Sequence, residues 1–245
     1  DTPYEIKDGK LFFKGYDWEI GLGENIVFDS KTRSPIYFTS KYEIGNSSSI
    51  TATELSKGVV RLLGIAAADV PPVGSIYTDK GPHGKNREVP GFAIQQSENI
   101  NLKNVTVYRA GAMALIAEKS KNITLDSYKV TVREGLSKML SASADATHFV
   151  NCKGLVKLNN CKFESMLDDA TNIHGTYMYV TDYIENNKMA LSFGHFQQEG
   201  FHFGSPGDSV LLVNRANMMP LSKTIIKSID QIDENHYVLE VEQDL

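Results

Sequence analysis

The 245-residue chain has two cysteines, one tryptophan and no apolar run that approaches the about 20 residues a membrane-spanning helix needs. Cys152 and Cys161 are too few for a disulfide scaffold and lack metal-ligand spacing, so both are expected as small apolar side chains in a core. An excess of positive charge is also missing. The formal net charge is -5, and the 25 Lys and Arg are scattered without a basic stripe. Nucleic acid and anionic membrane are therefore poor partners, because phosphate binding needs clustered cations. A neutral or small polar ligand fits better. No methionine and no basic, apolar leader open the chain at Asp1, which suits a mature or trimmed protein and leaves export unseen. Hydrophobic residues at 41% and charged residues at 22% are enough for one elongated domain or two compact ones.

Three segments superimpose: "SENINLKNVTVY" from Ser97, "SKNITLDSYKVT" from Ser120 and "GLVKLNNCKFES" from Gly154. Ile100, Leu102, Val105 and Val107 fall on Ile123, Leu125, Tyr128 and Val130, and these on Val156, Leu158, Cys161 and Phe163. Each unit reads as two short strands that meet at a two-residue corner rich in Asn or Ser. Strands repeated at this period suit a parallel β-helix, in which each coil buries its inner face only by stacking on the next. A leucine-rich repeat has an overlapping period, and "AGAMALIAEKS" at 110–120 has the composition of a short helix. The interchange of Ile, Val, Tyr and Cys at equivalent positions favours the β-helix.

The flanks alternate differently. Residues 1–78 carry short runs such as "KLFFKGYDWEI" and "GVVRLLGI" between Gly, Asn and Ser turns, which predicts a small antiparallel, barrel-like domain. "PPVG" at 71–74 punctuates its end. Residues 79–188 are assigned to the coils, and 189–245 to the start of a second antiparallel domain. The fold class expected is all-β. The final strand reaches Leu245 without a closing element, so the fold is expected to continue or to be completed by a second piece.

The stretch "FESMLDDATNIHGTYMYV" at 163–180 sets Asp168, Asp169, Asn172 and His174 between apolar runs. Stacked coils place outward groups one strand spacing apart, about 4.8 Å, so neighbouring coils build a surface row. Asp145, in the long excursion between the second and third units, joins the same few coils. Glycoside hydrolysis needs such a set, because one carboxyl protonates the leaving oxygen while another activates water or attacks carbon. Carboxylates that share a site also raise one another's pKa, which helps keep one protonated near neutral pH. Asn172 and His174 suit sugar hydroxyls, and Tyr177 and Phe163 offer stacking faces, although each is equally a packing residue. The plainer alternative for Asp168 and Asp169 is a solvated turn. Asp168, Asp169 and His174 have no recognised metal-ligand spacing.

"GPHGKNREVPGF", "SADATHFVNCKG", "FESMLDDATNIHGTY" and "HFQQEGFHFGSPGD" resemble successive blocks of the bacterial α-1,3-galactosidases of glycoside hydrolase family 110. The resemblance is strongest over residues 81–208 and covers only part of a full-length family member. It implies a right-handed parallel β-helix interrupted by small β-barrel domains, in a secreted or periplasmic protein. It also implies release of terminal α-1,3-linked galactose with inversion and without a cofactor, from glycans such as blood group B or linear α-galactosyl structures. Carried over by motif, Asp168 and Asp169 are the paired acids that orient or deprotonate water, and Asp145 is the aspartate of the "DATHF" block. Glu199 in "QQEGF" is the candidate general acid. His83 and Arg87 either line a sugar subsite or brace the loop that enters the coils. Two other functions stay open at this stage: a β-helix polysaccharide lyase, disfavoured by the negative charge, and a non-catalytic solenoid that binds glycans.

Overall fold

The structure, a computed structural model, describes residues 3–15, 19–42, 44 and 49–243. Asp1, Leu245 and the middle of the first alternating run lie outside the described residues. Nearly everything described is β; helix is confined, among the described residues, to the 3-10 turns Thr39–Tyr42, Ala67–Asp69 and Phe196–Gln198. The chain divides into two compact units, Asp1–Ile173 and His174–Leu245.

The first unit opens with antiparallel pairings. Tyr4–Lys7, Lys10–Lys14 and Glu19–Gly21 form one three-stranded sheet. Its first hairpin turns at Asp8 and Gly9, both at positive φ (49° and 72°), the backbone that a tight Asp-Gly turn requires. Asn25–Phe28 pairs with Ile76–Asp79, and Thr51–Ser56 with Val59–Leu63.

From Ala93 onward the pairing becomes parallel. One ladder stacks Ala93–Gln95, Leu115–Glu118, Thr147–Val150 and Thr171–His174. A second stacks Glu98–Lys103, Lys121–Asp126 and Lys153–Asn159, and a third Thr106–Val107, Lys129–Val130 and Lys162–Phe163. The register joins Ile100, Ile123 and Val156, then Leu102, Leu125 and Leu158, then Val107, Val130 and Phe163. These are the positions that the apolar alignment superimposed. Residues 110–120 contribute the strand Leu115–Glu118 to the first ladder and no helix.

Each pass bends at residues in the left-handed region. Gln96, Lys119 and Asn151 occupy one corner and Asn104, Ser127 and Asn160 another, while Asn99, Asn122 and Gly154 form a bulge just inside the strands of the second ladder, all with φ between 46° and 68°. Asn and Gly tolerate this conformation, which explains their recurrence at the bends. Asn122 also donates from Nδ2 to Oδ1 of Asn99 (3.1 Å) and accepts at its own Oδ1 from the Leu155 amide (3.2 Å), so the bulge is stitched pass to pass.

Inside the passes, Leu115, Ile123, Leu125, Tyr128, Val130 and Phe149 are fully buried. Tyr128 packs edge-on between Phe92 (6.2 Å) and Phe163 (6.4 Å), and its hydroxyl donates to the Ala114 carbonyl. Cys152 and Cys161 are free thiols packed against this core.

The second unit is a five-stranded antiparallel sheet in the order Met178–Glu185, Lys188–Phe193, His236–Val241, Pro220–Gln231 and Ser209–Val213. The last four strands make a Greek key, because Lys188–Phe193 connects by a long loop to Ser209–Val213 yet pairs with His236–Val241. Alternate residues of its strands, among them Met189, Leu191, Phe193, Tyr237, Leu239 and Val241, form a core of their own.

Candidate active site

The candidate acidic residues sit where the first parallel ladder begins. Ala142 bridges in parallel to Ala110 on one side and to Met166 on the other. From that point the chain entering Thr147–Val150 and the chain entering Thr171–His174 run level. The Ala146 amide donates to the Asp169 carbonyl (2.9 Å) and the Thr147 amide to the Ala170 carbonyl (3.3 Å), while the Thr147 and Thr171 hydroxyls meet at 2.9 Å. Asp145-Ala146-Thr147 therefore stacks on Asp169-Ala170-Thr171, with α-carbons about one strand spacing, roughly 4.8 Å, apart.

The two stacked aspartates are held alike and exposed differently. Asp145 is 2% exposed, and its Oδ2 lies 2.6 Å from Nδ1 of His148, three residues on. Asp169 is exposed and accepts from Nδ2 of Asn172, also three residues on, at 3.3 Å. Successive passes thus repeat one device: an aspartate at the foot of a strand braced by a side chain on the strand itself. Asp168 is exposed as well. Its Oδ1 accepts from the Asp169 amide (3.1 Å) and its Oδ2 from Arg87 Nη2 (2.5 Å). Three carboxylates lie on two neighbouring passes, and a guanidinium from outside them meets one. Such an acidic row, half sunk and half open, can bind hydroxyls and orient water at its exposed members.

Arg87 reaches Asp168 from the loop 80–87, in which three other polar side chains converge on Glu24. Glu24 Oε1 lies 2.7 Å from His83 Nδ1, and Oε2 accepts from Asn86 Nδ2 (2.7 Å) and Lys80 Nζ (3.0 Å). Burial pushes the Glu24 carboxyl up, but the hydrogen bonds from Lys80, His83 and Asn86 outweigh it and hold the pKa at about 2.

The sequence candidates thus fall into two groups. Asp145, Asp168, Asp169, Asn172 and Arg87 are brought together in the first unit, and His83 in the same unit faces Glu24. Phe163 is a core residue against Tyr128. His174, Tyr177 and Glu199 belong to the second unit. His174 Nδ1 lies 2.7 Å from the Gly175 carbonyl, and Tyr177 is exposed. Glu199 is exposed beside the 3-10 turn Phe196–Gln198, with its amide bonded to the Phe196 carbonyl. Among the described residues, no three His, Cys, Asp or Glu side chains cluster as metal ligands.

Sequence reasoning missed His148 and Glu24. A signal existed for His148: "DATH" at 145–148 and "DATN" at 169–172 are the same rung 24 residues apart, so His148 is the counterpart of Asn172. Glu24 has no such signal, being far in sequence from each of its partners.

Known proteins match both the flanks and the passes between them. The family model described as GLAA-B beta-barrel domain I matches residues 1–77, and that described as GLAA-B beta-barrel domain II matches residues 188–245. Alpha-1,3-galactosidase A of Shewanella woodyi is 32% identical over 88% of the chain and 36% of its own length. Alpha-1,3-galactosidase B of Parabacteroides distasonis is 33% identical over 94% of the chain and 37% of its own. Alpha-1,3-galactosidase A of Bacteroides fragilis is 29% identical over the whole chain and 39% of its own length. The chain spans well under half the length of these curated relatives.

Proposed function

Because the chain belongs to glycoside hydrolase family 110, the family of the bacterial α-1,3-galactosidases, we propose that it carries the acidic part of an exo-acting, inverting α-galactosidase site. The observation that supports this most is the stacked row of Asp145, Asp168 and Asp169, set level by the ladder and braced by His148, Arg87 and Asn172. In this reading the three passes are part of a right-handed parallel β-helix, with barrel domains at 1–78 and 189–245 on either side of coils at 79–188. The full-length protein acts outside the cytoplasm, where terminal α-1,3-linked galactose of blood group B or linear α-galactosyl type is displayed.

The division of labour follows from exposure. Asp168 and Asp169 are open to water and orient or deprotonate the attacking molecule, while the buried Asp145 completes the row from below. An inverting reaction needs its acid and base carboxyls about 6.5–9.5 Å apart to admit water, so adjacent Asp168 and Asp169 do not serve as that pair alone. The likeness of the "QQEGF" block assigns the acid to Glu199. Asn172, His174, His83 and Arg87 are the polar residues assigned to sugar recognition or to bracing it. No cofactor enters the scheme.

The test is turnover of an α-1,3-galactoside by the full-length protein and by its Asp168→Asn and Asp169→Asn variants. Each substitution should lower kcat by roughly 10²- to 10⁴-fold, the range of a lost acid or base, with the melting temperature nearly unchanged. Wild-type binding of the glycan without turnover would instead favour a non-catalytic solenoid.

A further inference from the structure

Glu24 stands outside the acidic row, yet it governs the segment that reaches that row. It accepts from three side chains of one loop, Lys80 (3.0 Å), His83 (2.7 Å) and Asn86 (2.7 Å), and thereby uses both carboxylate oxygens. The backbone repeats the attachment. The Glu24 amide donates to the Gly81 carbonyl (2.9 Å), and the Lys80 amide donates to the Glu24 carbonyl (2.9 Å). At the root of the loop the two backbones nearly touch, since a Cβ on Gly23 would lie 2.0 Å from the Gly81 carbonyl carbon. Gly81 itself has φ +90°, where a side chain would be strained.

The far side of the loop is tied to the coils. The buried Asn86 gives its side chain to Glu24 and its carbonyl to the Ser143 hydroxyl (3.0 Å), two residues before Asp145. The next residue, Arg87, places Nη2 on Asp168 Oδ2 at 2.5 Å. Asn86 is thus fixed from both directions, and its neighbour has little freedom to aim elsewhere. An exposed ion pair would ordinarily contribute little, because two long side chains must be ordered to form it. Here the ordering is done in advance by the loop.

We propose that Glu24 is a positioning residue: it folds loop 80–87 against the coils so that Arg87 meets Asp168 and fixes the direction of that carboxylate. The role rests on the proposed hydrolytic function of Asp168 for its consequence, but the geometry stands apart from it. Glu24 itself touches neither Asp168 nor any group assigned to the reacting atoms.

Three variants of the full-length protein test this: Glu24→Gln, Arg87→Ala and the pair combined. Glu24→Gln keeps the shape but cannot accept equally from three donors, and it should lower kcat by roughly 10- to 100-fold, as small misplacements of reacting groups do, with little change in KM. Added to Arg87→Ala, it should cost nothing more, because its effect passes through Arg87. Additive losses, or an unchanged kcat in Glu24→Gln, would overturn the inference. Melting temperatures separate loss of position from loss of fold. A crystal structure of Glu24→Gln gives a reading independent of turnover: Arg87 displaced from Asp168 supports the inference, and an intact pair sinks it. An inactive wild type would count against the galactosidase reading alone.

Discussion

At the scale of single residues, the acidic row is a set of unequal carboxylates. Asp145 is enclosed and depends on His148, so His148→Ala leaves a buried acceptor with one partner fewer. That substitution should cost about 1–3 kcal/mol of stability as well as activity, measurable by chemical denaturation. Glu24 offers a pH test. Its folded pKa of about 2 lies below the ordinary value of 4.5, so the unfolded chain takes up the proton first as the solution is acidified. The stabilisation is complete above about 4.5 and is lost as pH falls towards about 2. Glu24→Gln should therefore lower the melting temperature most near neutrality and flatten its fall across that window, the two proteins converging as pH approaches about 2. Why Glu24 escaped sequence reasoning is physical. Its meaning comes from Lys80, His83 and Asn86, and nothing local to residue 24 announces partners more than fifty positions away.

At the scale of elements, the repeated pass was the most legible part of the chain. Ile123, Leu125 and Val130 each pair with the residues that the apolar alignment chose, because inward positions of stacked strands must match in kind for every coil to close on the next. The equivalence of "DATH" and "DATN" obeys the same register but went unread, since an alignment built on apolar positions passes over polar ones. Composition misled at 110–120, where the alanines suit a helix yet Ala112, Ala114 and Ala117 are small because the interior of the passes is crowded there. Two predictions belong to this scale. Tyr128→Phe removes one hydrogen bond to Ala114 and should cost about 0.5–1.5 kcal/mol, whereas Tyr128→Ala should cost about 3–5 kcal/mol by opening a cavity between Phe92 and Phe163. Gly154→Ala puts a Cβ 2.4 Å from Asn122 Oδ1 at a backbone with φ +68°. It should break the Asn122–Leu155 link and lower the melting temperature, while Asn122→Ala, which removes the obstructing side chain, should partly relieve the clash when combined with it.

At the scale of the whole molecule, the all-β character was legible from short alternating runs, and burial follows them in Lys188–Phe193 and His236–Val241 of the second unit. Lys188–Phe193 alternates between half-buried and buried positions along its length. What no periodicity reports is how antiparallel strands are ordered, which is why the Greek key of the second unit was beyond reach. The resemblance of the four polar blocks identified the family where periodicity could not, and the galactosidases of Shewanella and Parabacteroides bear it out. The stereochemical outcome is a property of the full-length protein. Proton NMR of the first sugar released from an α-1,3-galactoside should show β-galactose before mutarotation, and α-galactose appearing first would refute inversion.

The excursion between Val130 and Ala142 leaves the stack after the two ladder positions Lys129 and Val130 and rejoins it at the bridge from Ala142 to Ala110 and Met166. Departure and return are both anchored, so the span between them is free of the spacing that every other part of a pass obeys. Arg33 reaches it through a hydrogen bond from Nη2 to the Lys138 carbonyl (2.7 Å), a tether on the outer surface. Natural variation in length should accumulate at this detour, and a peptide tag spliced into it should leave the neighbouring rungs in step.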